Sequence, residues 1–347
     1  MINLLESDID IEFAKKAHLT FFECYIDKRL NGTDYPLIKV KIPNRRESSK
    51  SNNFNELVNF VERGRNKETI IIGAPNQLKD IHDQLVNLID RLYHPQHTFE
   101  SYISTPIDER LGTGDIHKFI EDIKAIFDYN FFNKLQPSDD YSPYQLTDNL
   151  KVRSCIFCNR TYTITRTSKS KGKLMRPQLD HWYPKSKFPL LAISFYNLIP
   201  CCTYCNSSVK GDNELNLNEH IHPYILETIP DDFSFSYYHE KSINDYVIYL
   251  KKSKGASGKS LRTLRHLKID QMYNGHIIEL EDMINLKKAY SKEYIKNMAA
   301  FFPESGLSER ETLRMLFGIE SQAENYHLMP MSKFKNDILC ELGIIEK

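Results

Sequence analysis

Apolar residues return at helical spacing along much of the chain, and polar interruptions divide it into elements. Ile9, Phe13, Ala17, Phe21 and Phe22 mark one face of a helix within residues 1–31, which Asn31-Gly32 stops. Leu37 to Ile42 alternates apolar residues with Lys39 and Lys41, the pattern of a short strand, and Arg45 to Asn53 reads as a polar loop. Glu56 to Arg63 is helical, Thr69 to Ile72 a short buried strand, and Gln77 to Tyr93 an amphipathic helix that His94-Pro95 ends. After a break at Gly112-Thr-Gly114, Phe119, Ile120, Ile123, Ile126 and Phe127 share a face of a helix over Ile116 to Phe132. Gln136 to Pro143 then reads as a linker.

Beyond the linker, Tyr162 to Thr165 has strand formers and Ser168 to Lys173 is a basic turn, one hairpin leading toward a strand that carries Asp180 and His181. A helix is expected from about Cys205, with Asn206 and Lys210 four residues apart on one face. Asp212 to Asn218 is polar, and His220-Ile-His222-Pro223 reads as a surface turn. Phe233 to Tyr238 and Tyr246 to Leu250 form an antiparallel pair. Leu261 to Phe302 reads as one or two long helices, divided by Pro303-Glu-Ser-Gly306 from a last helical region ending near Leu342. The pattern predicts an α+β chain, mostly helical, in three parts: residues 1–150, 151–225 and 226–347.

Composition narrows the class. With 347 residues, 41% hydrophobic and 27% charged, the chain is long enough for more than one domain and ordinary for a globular protein. It has no apolar run of membrane-spanning length, and the acidic start Glu6-Ser-Asp-Ile-Asp10 predicts no secretory signal, so a cytoplasmic protein is expected. The 46 basic and 46 acidic residues cancel, but their distribution is uneven. Between Lys151 and Lys210 eleven Lys and Arg face a single acid, Asp180, as suits a cation-carrying carboxylate in a field that attracts a polyanion.

The chemistry gathers in the same stretch. Cys155-Ile-Phe-Cys158 and Cys202-Thr-Tyr-Cys205 are two Cys-x-x-Cys pairs, each able to offer two thiolates from one turn to a structural zinc. Buried apolar thiols are the bland alternative. Cys201 leaves open a swap with Cys202, while Cys24 and Cys340 lie on helical patterns and read as packing residues. Four thiolates fill a tetrahedron, so reactivity must come from other groups. Asp180 and Asn206 offer oxygen ligands suited to a hard cation such as Mg²⁺ or Mn²⁺, and His181 can take a proton from water near neutral pH. Asn206 also reads as a helix N-cap, and Asn197 as a loop cap. Lys169, Lys171, Lys173, Arg176 and Lys210 are candidate phosphate contacts. Ile72-Gly-Ala-Pro-Asn76 and Gly255 to Ser260 lack the full pattern of a nucleotide-binding loop.

The order Cys-x-x-Cys, Asp180-His181, Asn197, Cys-x-x-Cys-Asn206, Lys210 resembles the HNH endonuclease family. Asp180-His-Trp-Tyr-Pro-Lys-Ser-Lys-Phe-Pro-Leu190 with Tyr196-Asn-Leu-Ile-Pro200 is similar to HNH subunits of Septu-type phage-defence systems. The resemblance implies a central ββα-metal domain with structural zinc, cutting phosphodiesters of DNA. His181 would be the general base oriented by Asn197, Asp180 and Asn206 the catalytic metal ligands, and the flanking regions docking surfaces for an ATPase partner. Alternatives are an inactive zinc-stabilised nucleic-acid-binding module, and a stand-alone restriction-like or RNA-directed nuclease.

Overall fold

The computed structural model describes residues 2–4, 10–33, 35, 38–43, 50–168, 172–211, 214–225, 232–256, 258–289, 297 and 308–345. Helices dominate, and three two-stranded antiparallel sheets interrupt them among the described residues. Helix α1 spans Ile11–Asn31; the Asp10 carboxylate caps its start by accepting from the Phe13 N–H at 2.9 Å. Gly32, at φ 75°, closes it in the left-handed conformation. The buried face runs through Ala14, His18, Phe21, Phe22, Tyr25 and Ile26, so Phe13, expected inside, is instead 59% exposed. Ile9 lies outside the described residues.

Helices α2 (Phe54–Glu62), α3 (Asn66–Ile72), α4 (Pro75–Tyr93) and α5 (Phe99–Ser104) follow. The expected strand at Thr69 to Ile72 is the last part of α3. Its run of isoleucines carries no period that separates strand from helix, and Ile70 and Ile71 are both buried. Of the strand expected over Leu37 to Ile42, Leu37 lies outside the described residues and 38–42 form no strand: the Asp140 carboxylate accepts from the Lys39 and Val40 N–H groups at 2.5 and 2.8 Å, engaging donors that a ladder would need. The helix expected over Ile116 to Phe132 is two, α6 (Asp115–Ile126) and α7 (Tyr129–Lys134), because Asp128 stops between them and caps α7 through the Phe131 N–H. Helix α8 (Pro143–Asn149) follows the 136–143 segment.

Strands β1 (Arg166–Ser168) and β2 (Gly172–Met175) pair as a hairpin, later in the chain than Tyr162 to Thr165, where only a single bridge, Ser154 with Tyr162, forms. Strands β3 (Gln178–His181) and β4 (Leu198–Cys201) pair antiparallel and are followed by one helical segment, Tyr204–Lys210, of π type rather than α. Strands β5 (Phe233–Glu240) and β6 (Asp245–Lys252) make the expected antiparallel pair. Among the described residues the stretch expected as one or two long helices after Leu261 holds α9 (Lys259–His266), α10 (Ile269–Tyr273) and α11 (Ile277–Ala289), broken at Lys268, which adopts φ 50°, and at Asn274-Gly275, while 290–296 and 298–302 lie outside the described residues. Pro303 to Gly306 lies outside the described residues. Helices α12 (Glu309–Phe317) and α13 (Ser332–Glu341) end the chain, and Asp337 of α13 accepts from the Phe235 N–H of β5.

The N-terminal helices hold the loop between β3 and β4. His18 of α1 bonds the Ile193 carbonyl at 2.7 Å, Ser194 Oγ donates to the Ile70 carbonyl of α3, and Tyr183 Oη donates to the Pro75 carbonyl of α4 at 3.1 Å. The apolar core is continuous from Ile2 through this loop to Ile344.

His18 is ringed by Phe22, Phe132, Tyr141 and Phe195, and burial pushes its pKa from 6.5 down to about 4. It is neutral in the fold, whereas in the unfolded chain it binds a proton below pH 6.5. Its contribution to stability is therefore complete above pH 6.5 and is lost between 6.5 and 4, by up to about 1.4 kcal/mol per pH unit. Urea denaturation at stepped pH should show stability falling through this window, with a shallower slope in His18→Gln; an equal slope would exclude His18 as a source of acid sensitivity.

Candidate metal centre and polar hollow

The first Cys-x-x-Cys turn is shaped by Asn159, which takes the left-handed φ of 52° that closes the knuckle and returns its N–H to the Cys155 carbonyl at 2.8 Å. Its amide donates to Ser154 Oγ and to the carbonyls of Tyr326 and Met329, so the C-terminal region braces the turn. Tyr273 Oη donates to the Cys158 carbonyl at 2.8 Å. The second pair comes from the end of β4 and the π-helical segment. All four sulfurs, of Cys155, Cys158, Cys202 and Cys205, lie within 4.8 Å of one another, and those of Cys158 and Cys202 are 3.9 Å apart. A tetrahedral zinc with 2.3 Å bonds sets its sulfurs about 3.8 Å apart. Main-chain N–H groups of Cys202 and Arg160 point at Cys155 Sγ and Cys158 Sγ at 3.3 and 3.4 Å, as suits thiolate acceptors. The quartet can hold a metal ion such as zinc.

Within the quartet, hydrogen bonding to Cys155 lowers the thiol pKa of both Cys158 and Cys202. Cys201 stands outside it, fully buried in β4, where burial and then the Asp180 charge push its thiol up. The pairing of Cys202 with Cys205 is therefore the one the fold adopts, with Cys201 as a core thiol. Cys24 and Cys340 are half-buried on α1 and α13.

Asp180 and His181 lie in β3, opposite Ile199 and Leu198 of β4. His181 Nε2 is 2.9 Å from the Ala192 carbonyl. A carbonyl only accepts, so Nε2 carries the proton and Nδ1 the lone pair. The Tyr129 ring of α7 meets the imidazole edge-on at 4.4 Å. Burial, aided by the charges of Lys185 and Lys210, pulls the pKa of His181 down to about 3 and keeps the ring neutral. Beside it opens a hollow of about 380 Å³, lined by Asp180, His181, Lys185 and Asn206 together with Tyr129 and Asn133 of α7. Three of the four residues expected to carry chemistry thus share one cavity.

The fourth does not. Asn197 is fully buried and staples the loop: its Oδ1 accepts from the Tyr183 N–H at 2.7 Å, and its Nδ2 donates to the carbonyls of Tyr183 and Leu191. The imidazole is oriented by Ala192, not by Asn197. Lys210 also departs from its expected role. It points inward rather than to phosphate, donating to the His181 carbonyl at 2.5 Å and lying 3.3 Å from Asp180 Oδ2, with both side chains buried. Arg176 is half-buried against α7 and α8, donating to Asn133 Oδ1 and lying 5.7 Å over the Tyr144 ring; Lys173 reaches the Lys134 carbonyl. Lys169 and Lys171 lie outside the described residues. His220 and His222 are buried rather than on a surface turn, His222 4.6 Å from the Trp182 ring and His220 5.3 Å from that of His266. Neither lines the hollow.

Sequence reasoning missed Tyr129 and Asn133, which reach the hollow from a helix far upstream. No spacing rule links them to His181; the only trace is three aromatics and two amides on a short segment after Asp128. No protein-family model, curated protein or solved structure matches this chain.

Elemental analysis of the purified protein should find about one zinc per chain. Cys158→Ser should lose it together with several degrees of melting temperature, whereas metal-free wild type of unchanged stability would remove the metal centre. Lys210→Met leaves the buried Asp180 without its ammonium and should cost about 3 kcal/mol in chemical denaturation. A lysine serving only as a phosphate contact would leave stability unchanged.

Proposed function

We propose that the chain is a metal-dependent nuclease of the HNH type, in which β3, β4 and the π-helical segment form the ββα-metal unit and the cysteine-bound zinc is its scaffold. The observation that carries this reading is the meeting of Asp180, His181 and Asn206 in one polar hollow beside the quartet, with His181 Nε2 tied to a carbonyl. Asp180 and Asn206 present one carboxylate and one amide, hard oxygen donors that leave room for waters and a phosphate oxygen. They would hold Mg²⁺ or Mn²⁺, whose charge offsets that developing on the phosphoryl group and the leaving 3′ oxygen.

His181 Nδ1 takes a proton from water as that water's oxygen bonds to phosphorus, and the bond from phosphorus to the 3′ oxygen breaks, leaving a 5′ phosphate. The released 3′ oxygen is protonated by solvent in the hollow. Burial keeps the imidazole neutral before the substrate arrives. Beside the ring the phosphate's negative charge would favour the imidazolium and the cation's charge would oppose it, so Nδ1 accepts the proton as negative charge builds on the phosphoryl group. Lys210 fixes the β3 main chain and the Asp180 carboxylate from beneath, and exposed Lys185 meets the incoming backbone from the rim. A role in anti-phage defence with an ATPase partner belongs to the same proposal, supported by the resemblance of the Asp180 to Leu190 stretch.

The purified protein should nick plasmid DNA when Mg²⁺ or Mn²⁺ is added. His181→Ala should lower the rate by at least about a hundredfold, while keeping its zinc. Undiminished cutting by that variant, or binding without cleavage under either metal, would overturn the assignment, the latter in favour of a binding module.

A further inference from the structure

A second hollow, of about 260 Å³, adjoins the first. Tyr129 and Lys185 line both, and Ala192, whose carbonyl holds His181, lines the second, so the two are separated by little more than these side chains and that hydrogen bond. Their linings differ in chemistry. The first is mostly polar; the second rests on Phe127, Pro189 and Ala192, with Asn130 and Ser186 on its rim, Lys124 and Lys185 beside them, and Asp128, whose carboxylate caps α7 through the Phe131 N–H, the one acid among its described lining residues. Lys185 leans over the Tyr129 ring at 5.1 Å and donates to Asn130 Oδ1 at 3.3 Å.

We infer that this second hollow receives an unpaired nucleobase of the nucleotide flanking the scissile phosphate, so that the enzyme acts on single-stranded or locally opened nucleic acid rather than on intact duplex. The inference rests on the phosphodiester chemistry proposed for the first hollow. A phosphodiester seated beside His181 carries a nucleoside on either side, and the adjoining space has the two features that a base requires. Its floor is apolar, able to cover a flat aromatic face, and its rim offers an amide and a hydroxyl to the base edge. Lys185, which lines both spaces, flanks the path of the backbone between them. A base held in a duplex cannot enter it without leaving the stack.

The test uses full-length protein without added divalent cation, so that binding is read apart from cutting. Fluorescence anisotropy compares a short labelled single strand with the duplex of the same sequence, for wild type, Ser186→Trp and Asn130→Ala. Ser186 is exposed at the rim, and an indole there should fill the space. We expect single strand to bind wild type about tenfold more tightly than duplex and Ser186→Trp to lose that preference, which a factor of ten equates to about 1.4 kcal/mol. Asn130→Ala should weaken it with less disturbance of the fold, and decides the matter if the tryptophan variant is unstable. Duplex binding as tight as single strand, or a preference untouched in both variants, would overturn the inference and leave the proposed cleavage standing. Absence of cleavage with a preference that the variants remove would overturn the reaction and leave the base-binding hollow standing.

Discussion

Four cysteine sulfurs confined within 4.8 Å are the constraint on which the site region rests. Packed thiolates repel, and an unscreened buried charge is costly, so the arrangement suits either a shared cation or protons retained by some of the thiols. A dipositive ion satisfies all four at once. Such an ion would tie the turn at Cys155 to the end of β4 and the π-helical segment, which are distant in sequence. β4 ends at Cys201, and Cys202 directly after it reaches the quartet. The main-chain donors of Arg160 and Cys202, and the Tyr273 hydroxyl on the Cys158 carbonyl, show the same closure from outside.

From this fixed point the loop between β3 and β4 is held by a series of carbonyls. Ala192 receives His181, Ile193 receives His18, and Leu191 and Tyr183 receive Asn197. Each donor is a buried side chain bonded to main chain, so the loop behaves as an extension of the core and not as a surface connection. Histidine suits two of these places because, neutral, it offers one donor and keeps one lone pair. In His18 the second nitrogen meets the Tyr141 hydroxyl at 3.1 Å; in His181 the corresponding atom is the one proposed to accept a proton. The same physics, an imidazole kept neutral by burial, thus serves packing in one case and is proposed to serve chemistry in the other.

What was legible in the sequence is what depends on short spacing. The two cysteine pairs, the Asp180-His181 strand with Asn206 nearby, α1, α4 and the β5–β6 hairpin each follow from local periodicity or from a motif a few residues long. The failures share a cause, tertiary demand acting on an ambiguous local signal. Ile70 and Ile71 fit either secondary structure until α1 and α4 pack on them. Asn197 was expected to aim the imidazole, and its hydrogen-bonding capacity is instead filled by loop backbone. Lys210 was expected to share a helix face with Asn206 and meet phosphate, but a carboxylate as buried as Asp180 requires a nearby positive charge, and that requirement outranks the preference of lysine for solvent. Tyr129 and Asn133 carried no spacing signal that ties them to His181.

The fate of the basic residues follows the same logic and changes what the positive field means. Counting eleven cations between Lys151 and Lys210 suggests a broad surface for a polyanion. Among the described residues many of them have structural partners. Lys210 is buried, Arg176 and Lys173 hold α7, Arg160 donates to His276, and Lys187 pairs with Glu214 at 3.0 Å. Arg176, Lys173 and Arg160 bond neutral groups and keep their charge, whereas Lys210 and Lys187 face carboxylates, so the positive field is weaker than the count of cations suggests. Direct contact at the hollow is another matter. Lys185 is exposed and lines each of the two cavities, in company with Asp180 in the first and Asp128 in the second, and its ammonium lies over the Tyr129 ring and donates to the Asn130 amide. Under the nuclease reading, positioning of a phosphate at the hollow would therefore fall largely to one side chain.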